Sequence, residues 1–170
     1  MIIATRGSSR WQASEGPEVI YRDGYYYLFL AYGSLSVEYN TRVCRSRNID
    51  GPYVDIHGNS AMGSAQLYPI LTAPYRFDNS YGWVGISHCG IFDDGAGNWF
   101  YTSQGRFPVN VGGNEYSNAI MMGHVRSIRW DANGWPLVMP ERYGAVPQAP
   151  ITENEIAGDW EHLALTNSTG

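Results

Sequence analysis

The chain has 170 residues, 44% of them hydrophobic, with 16 Asp and Glu against 11 Lys and Arg and a formal net charge of -5. That apolar share supports a packed core and excludes a disordered or fibrous chain, while the acidic balance offers nothing to neutralise a phosphate backbone, so nucleic acid is not an expected partner. All 11 basic residues are arginine, which removes a P-loop, a Schiff-base lysine and a Ser-Lys nucleophile pair.

The excess of Gly (20), Tyr (13) and Trp (6) suits short strands, tight turns and flat aromatic surfaces of the kind that contact carbohydrate. Met1 to Ala4 provides no apolar signal-peptide core, and no run approaches the ~20 apolar residues of a membrane span. Helical periodicity is nearly absent, so the fold class is all-β. Glu18 to Arg22, the turn Asp23-Gly24 and Tyr25 to Ala31 predict a hairpin with a favoured two-residue loop. Tyr39 to Ser46 gives a third strand and Tyr53 to Ile56 a short fourth. The same order follows in Ile86 to Phe92, the turn Asp93 to Asn98, Trp99 to Gln104, a long loop, Ala119 to Trp130, the turn Asp131 to Gly134, and Trp135 to Met139. Cys44 and Cys89 fall inside these strands without C-x-x-C spacing and read as buried free thiols.

One four-strand unit is thus written twice. A repeat of about 40 to 50 residues is the mark of a β-propeller blade, although jelly rolls and sandwiches also give regular short strands. Two blades do not close a ring, because propellers need at least four. Met1 to Ala4 reads as the last strand of a preceding blade, Pro147 to Pro150 as a linker, and Ile156 to Leu165 as the opening strand of a further domain. The expected division is a partial propeller over 1–146, then a linker and the first strand of a C-terminal β-domain over 147–170, with both ends interrupted.

Inner strands of propeller blades line the axial channel, so their polar residues converge at one mouth. Two such positions carry chemistry. Glu15, in Ser-Glu-Gly-Pro, stands just ahead of the first strand of one unit, and His88, in Ser-His-Cys-Gly, sits on the first strand of the other. A carboxyl set among small neighbours and aromatic surface suits a general acid, but the residues alone are better served by a solvated loop carboxylate and a hydrogen-bonded core histidine.

Trp11 to Asp55, reading WQASEGPEVIYRDGYYYLFLAYGSLSVEYNTRVCRSRNIDGPYVD, resembles the acid-bearing blade of family 43 glycoside hydrolases of the arabinanase type. Ser87-His88-Cys89, Arg106-Phe107-Pro108 and Asp131 to Pro136 (DANGWP) resemble later phrases of that family in the same order. The resemblance implies a five-bladed propeller that hydrolyses α-1,5-linked arabinan with inversion, with Glu15 as the general acid. It also implies that His88 helps hold a calcium or similar ion and its water shell, and that Arg106 and the aromatics Trp83, Phe107 and Trp11 face substrate. Of those aromatics, at most one is expected to stack on a sugar.

Inverting chemistry also needs a water-activating carboxylate about 6.5 to 9.5 Å from the acid. In the family that Asp precedes the Glu-Gly-Pro phrase, and no Asp precedes Glu15 here. Asp23, Asp93, Asp94 and Asp131 fall in turns and are not expected to replace it. Three sources remain open for the missing blades: a longer chain, a partner chain or self-association. Two other readings stay beside the arabinanase: a non-catalytic arabino-oligosaccharide-binding or assembly module, and an exo-acting arabinofuranosidase or xylosidase of the same family. For the family an extracellular location is expected.

Overall fold

The structure is a computed structural model that describes residues 1–6, 14–35, 37–63, 66–74, 76–77, 80–81, 83–106, 121–144 and 152–159. Two four-stranded antiparallel sheets dominate it. The first is built from β2 (Glu15–Arg22), β3 (Tyr25–Tyr32), β4 (Asn40–Ser46) and β6 (Ile70–Thr72), in that spatial order. The second is built from β9 (Gly90–Asp93), β10 (Trp99–Arg106), β11 (Met121–Trp130) and β12 (Pro136–Val138), again as a simple meander. The repeat predicted from the strand phrases is therefore present as two sheets of one topology.

Smaller pairings flank them. β1 (Thr5–Arg6) runs parallel to β5 (Met62–Gly63), and β7 (Arg76–Phe77) pairs with β8 (Ser80–Tyr81). One helical turn, α1 (Glu153–Ile156), occupies the start of the region expected to open a further domain, and residues 160–165 of that run lie outside the described residues. Among the described residues no helix is long and apolar enough to cross a membrane.

The fourth strand of the first unit differs from expectation. Tyr53 to Ile56 does not form it; Val54 makes only isolated bridges to Arg45 and Ser60. The cause is the Asp55 carboxylate, which accepts from the backbone N–H groups of His57 (2.9 Å), Asn59 (2.8 Å) and Tyr68 (3.1 Å) and so folds the chain back on itself. The outer edge passes to β6, which carries buried Leu71 and Thr72. Likewise Met1 to Ala4 is not a strand, and the pairing begins at Thr5.

Burial explains the composition of β3. Its apolar run is buried almost throughout because the sheet is covered on both faces. Tyr27, Phe29, Val43 and Leu71 pack with Ile86, Ile91, Tyr101, Ile128 and Trp135 between the two sheets, while Leu28, Leu30, Cys44, Tyr53 and Leu67 form a second cluster on the opposite face. Both cysteines are buried free thiols, as expected, and burial pushes each up to about 12, so neither is a nucleophile at neutral pH.

Polar ties cross between the sheets. The Tyr27 hydroxyl donates to the Gly134 carbonyl at 2.5 Å, and Arg45 Nη1 donates to the Asn133 carbonyl at 2.7 Å. Arg45 also lies 4.2 Å from the ring centroids of both Tyr25 and Trp135. These contacts hold the ends of the hairpins together and leave the opposite ends to the site.

Candidate active site

Glu15 is the first residue of β2, opposite Ala31, and not a residue ahead of the strand. Between Glu15 and Glu18 the register slips, so that Gly16 and Pro17 together face one residue of β3. Gly16 makes this bulge with a φ of +55°, a conformation that costs a side-chain-bearing residue about 1 to 3 kcal/mol. A Cβ at Gly16 would also stand 3.0 Å from two atoms of the His88 ring. The glycine of the Glu-Gly-Pro phrase thus bends the strand and admits the histidine.

His88 lies two residues before β9, not on it, in a left-handed conformation at φ +59°. Such backbone persists only where its surroundings hold it. Here the support comes from the buried residue before it. Ser87 Oγ donates to the Asn40 carbonyl at 2.9 Å and lies 2.8 Å from Thr41 Oγ1, which is 2.7 Å from the Tyr101 hydroxyl. Thr72 Oγ1 donates to the Ile86 carbonyl at 2.6 Å. This buried network ties β4, β6 and β10 beneath the site.

Tyr39 joins the two candidates. Its hydroxyl donates to Glu15 Oε1 at 2.7 Å and stands 3.2 Å from His88 Nδ1. A hydroxyl has one proton, so with that proton directed at Glu15 the Tyr39 oxygen accepts from the Nδ1–H of His88. Tyr39 is 1% exposed, and burial, then the hydrogen bond to Glu15, raises its pKa far above the ordinary phenol range, so it stays a neutral donor. Glu15 and His88 themselves are exposed to solvent.

Four candidate carboxylates in turns lie elsewhere. Asp23 is eight residues from Glu15 along an extended strand, about 26 Å at 3.3 Å per residue, well beyond the 6.5 to 9.5 Å of an inverting pair. Asp93, Asp94 and Asp131 each accept from backbone N–H groups of their own turns. Asp78 and Glu115 are outside the described residues.

Trp83 and Arg106 are brought together with each other through the Val84–Arg106 bridge. Trp83 is half-buried, edge-on to the His124 ring at a centroid distance of 4.2 Å, with Arg142 over it at 5.3 Å. Arg106 is 2% exposed and its Nη2 lies 3.3 Å from Met121 Sδ. Phe107 and Trp11 lie outside the described residues.

Sequence reasoning missed Tyr39 and His124. One tyrosine among 13 carries no local signal, and His124 acquires its character only from what folds over it. It is 2% exposed, its Nδ1 accepts from Arg126 Nη2 at 3.3 Å, and Nε2 has no hydrogen-bond partner among the described residues. Gly105 leaves it room, since a Cβ there would stand 2.6 Å from Nε2. Burial, then the charges of Arg126 and Arg142, pulls its pKa down to about 4. An unfolded histidine titrates near 6.5, so between about pH 6.5 and 4 the unfolded chain binds a proton that the folded chain refuses. Stability is therefore expected to fall as pH drops through that window and to be indifferent to His124 above it. Urea unfolding at pH 7 and 4.5 measures the slope, which His124→Gln should reduce.

The sequence profile of glycosyl hydrolases family 43 matches residues 1–136. An extracellular endo-α-(1→5)-L-arabinanase of Bacillus subtilis is 30% identical over 169 residues, an alignment spanning 86% of this chain and 34% of the relative. One from Thermotoga petrophila is 30% identical over 168 residues, spanning 88% and 34%. The crystal structure of an endo-1,5-α-L-arabinanase from Thermotoga petrophila superposes with a TM-score of 0.73 at 29% identity, over 85% of this chain and 35% of that one. The chain spans about a third of the length of these relatives. The architecture is of the five-bladed β-propeller type, with about two blades in this chain. Because the profile match runs from the first residue to the start of β12, and so takes in both sheets and the Glu15–Tyr39–His88 cluster, the chain belongs to glycosyl hydrolases family 43.

Proposed function

We propose that the chain forms part of a glycoside hydrolase acting on α-1,5-linked arabinan, with Glu15 as the general acid. The observation that carries the reading is the Tyr39 hydrogen bond to Glu15 Oε1, next to the bulge between Glu15 and Glu18. With Oε1 occupied as an acceptor, the transferable proton belongs on Oε2, which delivers it to the departing glycosidic oxygen. Inversion requires a second carboxylate on the opposite face of the sugar to activate water. None of Asp23, Asp93, Asp94 and Asp131 is placed to do this, and the reading assigns that base to the missing blades, in a longer chain, a partner chain or a second copy.

The substrate class and an extracellular site of action are carried over from the two relatives, whose names specify both. The resemblance to the family also implies a calcium ion at His88. Among the described residues no three His, Cys, Asp or Glu side chains converge, and a hard cation takes six to eight oxygen ligands, so His88 alone does not build a cage for it.

The test is hydrolysis of linear arabinan followed by proton NMR of the fresh product, where an inverted anomer supports the single-displacement reading and a retained one overturns it. A second reading, a binding module in which Glu15 is idle, is favoured by the absence of a paired carboxylate at those four Asp positions. Arabino-oligosaccharide binding without hydrolysis even when the missing blades are supplied, unchanged by Glu15→Gln, would establish it.

A further inference from the structure

Tyr39 is held from both sides of the chain. It is 1% exposed at the entry to β4, and the side chain of the next residue, Asn40, donates from Nδ2 to the carbonyls of Tyr32 (3.1 Å) and Glu38 (2.8 Å). Asn40 is also tied to the residue before His88, because Ser87 Oγ donates to the Asn40 carbonyl at 2.9 Å. The backbone that carries Tyr39 and the backbone that carries His88 are thus clamped to each other. The contacts of the Tyr39 hydroxyl with Glu15 at 2.7 Å and His88 at 3.2 Å join groups whose supports are already fixed.

Two directions of hydrogen bonding are open to these three groups. If the Tyr39 proton points at Glu15, His88 Nδ1 needs a proton of its own to complete the second contact. If it points at His88, Nδ1 must be bare and Glu15 must donate from Oε1. With the carboxyl ionised, or with its proton on Oε2, Oε1 only accepts, and the second direction is closed. A charged acceptor also makes a hydrogen bond about twice as strong as a neutral one. The first direction therefore wins.

We infer that Tyr39 is a positioning residue, which fixes His88 as the Nδ1–H tautomer while it holds Oε1 of Glu15 as an acceptor. In the neutral ring this leaves Nε2 as the acceptor atom, the reverse of the Nε2–H form that an imidazole without such a partner favours. One buried hydroxyl then sets the orientation of two exposed groups, one at the start of β2 and one just before β9. The tautomer follows from the contacts alone. Only its consequence for hydrolysis rests on the reading of Glu15 as the general acid.

Nitrogen-15 NMR of the 170-residue chain, labelled on histidine and recorded at about pH 8, where an ordinary imidazole is neutral, reads the tautomer of each ring. His88→Gln assigns the signal by its loss among the four histidines. His88 should show the Nδ1–H pattern in the unsubstituted chain, and Nε2–H should predominate in Tyr39→Phe. Phenylalanine keeps the buried ring, and the unfolding temperature checks the fold. Tyr101→Phe is the control, since it removes another buried hydroxyl that reaches Ser87 only through Thr41, and it should keep the Nδ1–H pattern. An Nε2–H ring in the unsubstituted chain, or a tautomer unmoved by Tyr39→Phe or moved as far by Tyr101→Phe, would overturn the assignment. On linear arabinan with the missing blades supplied, Tyr39→Phe should lower kcat about tenfold, the scale of one hydrogen bond to a charged group, with KM nearly unchanged. A raised KM with kcat intact would overturn the positioning of Glu15. Failure of the acid reading is seen separately, as hydrolysis unaffected by Glu15→Gln, and leaves the NMR result to decide the tautomer.

Discussion

If Glu15 is the general acid, then with the missing blades supplied Glu15→Gln is expected to lower kcat on linear arabinan by about 10² to 10⁴-fold, the range that a positioned general acid contributes, with KM and unfolding temperature nearly unchanged. The separation follows from the local structure. Glu15 is exposed and its described tie is the hydrogen bond accepted from Tyr39 at Oε1. A glutamine amide oxygen accepts that bond equally well, so the variant keeps the bulge and loses only the proton. The effect should also depend on the leaving group. An aryl arabinoside departs as a stabilised phenolate and needs little protonation, so Glu15→Gln should cost far less on that substrate than on arabinan. Initial rates on both substrates measure the ratio. Equal losses on the two would mean that Glu15 acts in some role other than proton donation.

Gly16→Val should be the most damaging substitution at a position with no chemistry of its own. A β-branched residue at φ +55° costs about 1 to 3 kcal/mol of stability. Its Cβ, 3.0 Å from the His88 ring, forces either the bulge or the histidine to move. A misplacement near 1 Å at reacting groups costs about 10²-fold in rate, so activity should fall much further than the folded fraction does. Gly95→Val is the control. Gly95 has a φ of +73° with nothing within 4 Å of its ideal Cβ, and it lies in the turn beyond β9. It should show a similar loss in urea unfolding while arabinan hydrolysis is retained. Matching activity losses in the two variants would show that Gly16 matters through stability alone.

The hairpins were legible from their residues because turns are local. Asp23-Gly24, Asp93 to Asn98 and Asp131 to Gly134 each place a carboxylate or glycine where the chain reverses, and the structure bends at all three. The same local reading failed at Tyr53 to Ile56. Its residues suit a strand, but Asp55 takes a backbone N–H from Tyr68, 13 positions away, and that contact sends the chain elsewhere. Edge strands are chosen by what remains to be covered, which no short window contains.

Glu15 and His88 could be singled out because each places a polar group at the opening of an inner strand, in a phrase that resembles the family, and the structure gives the glycine beside Glu15 its reason. What the phrases could not convey was the link between them. Tyr39 lies 24 positions from Glu15 and 49 from His88 and reaches both through a single hydroxyl. Arg106 and Trp83, also singled out, are packed together on the β10 side with His124 and Arg142 around Trp83.

The amino-acid sequence by itself determined the all-β class, the twice-written four-strand unit, the reversals and two of the three members of the Glu15 cluster, since strand period, turn chemistry and a glycine's freedom act within a few residues. Tertiary structure alone decided the outer strand at Ile70–Thr72, the Tyr39 bridge and the proton-refusing His124. Each of these depends on burial or on a charge brought near by folding, and both are properties of neighbours in space.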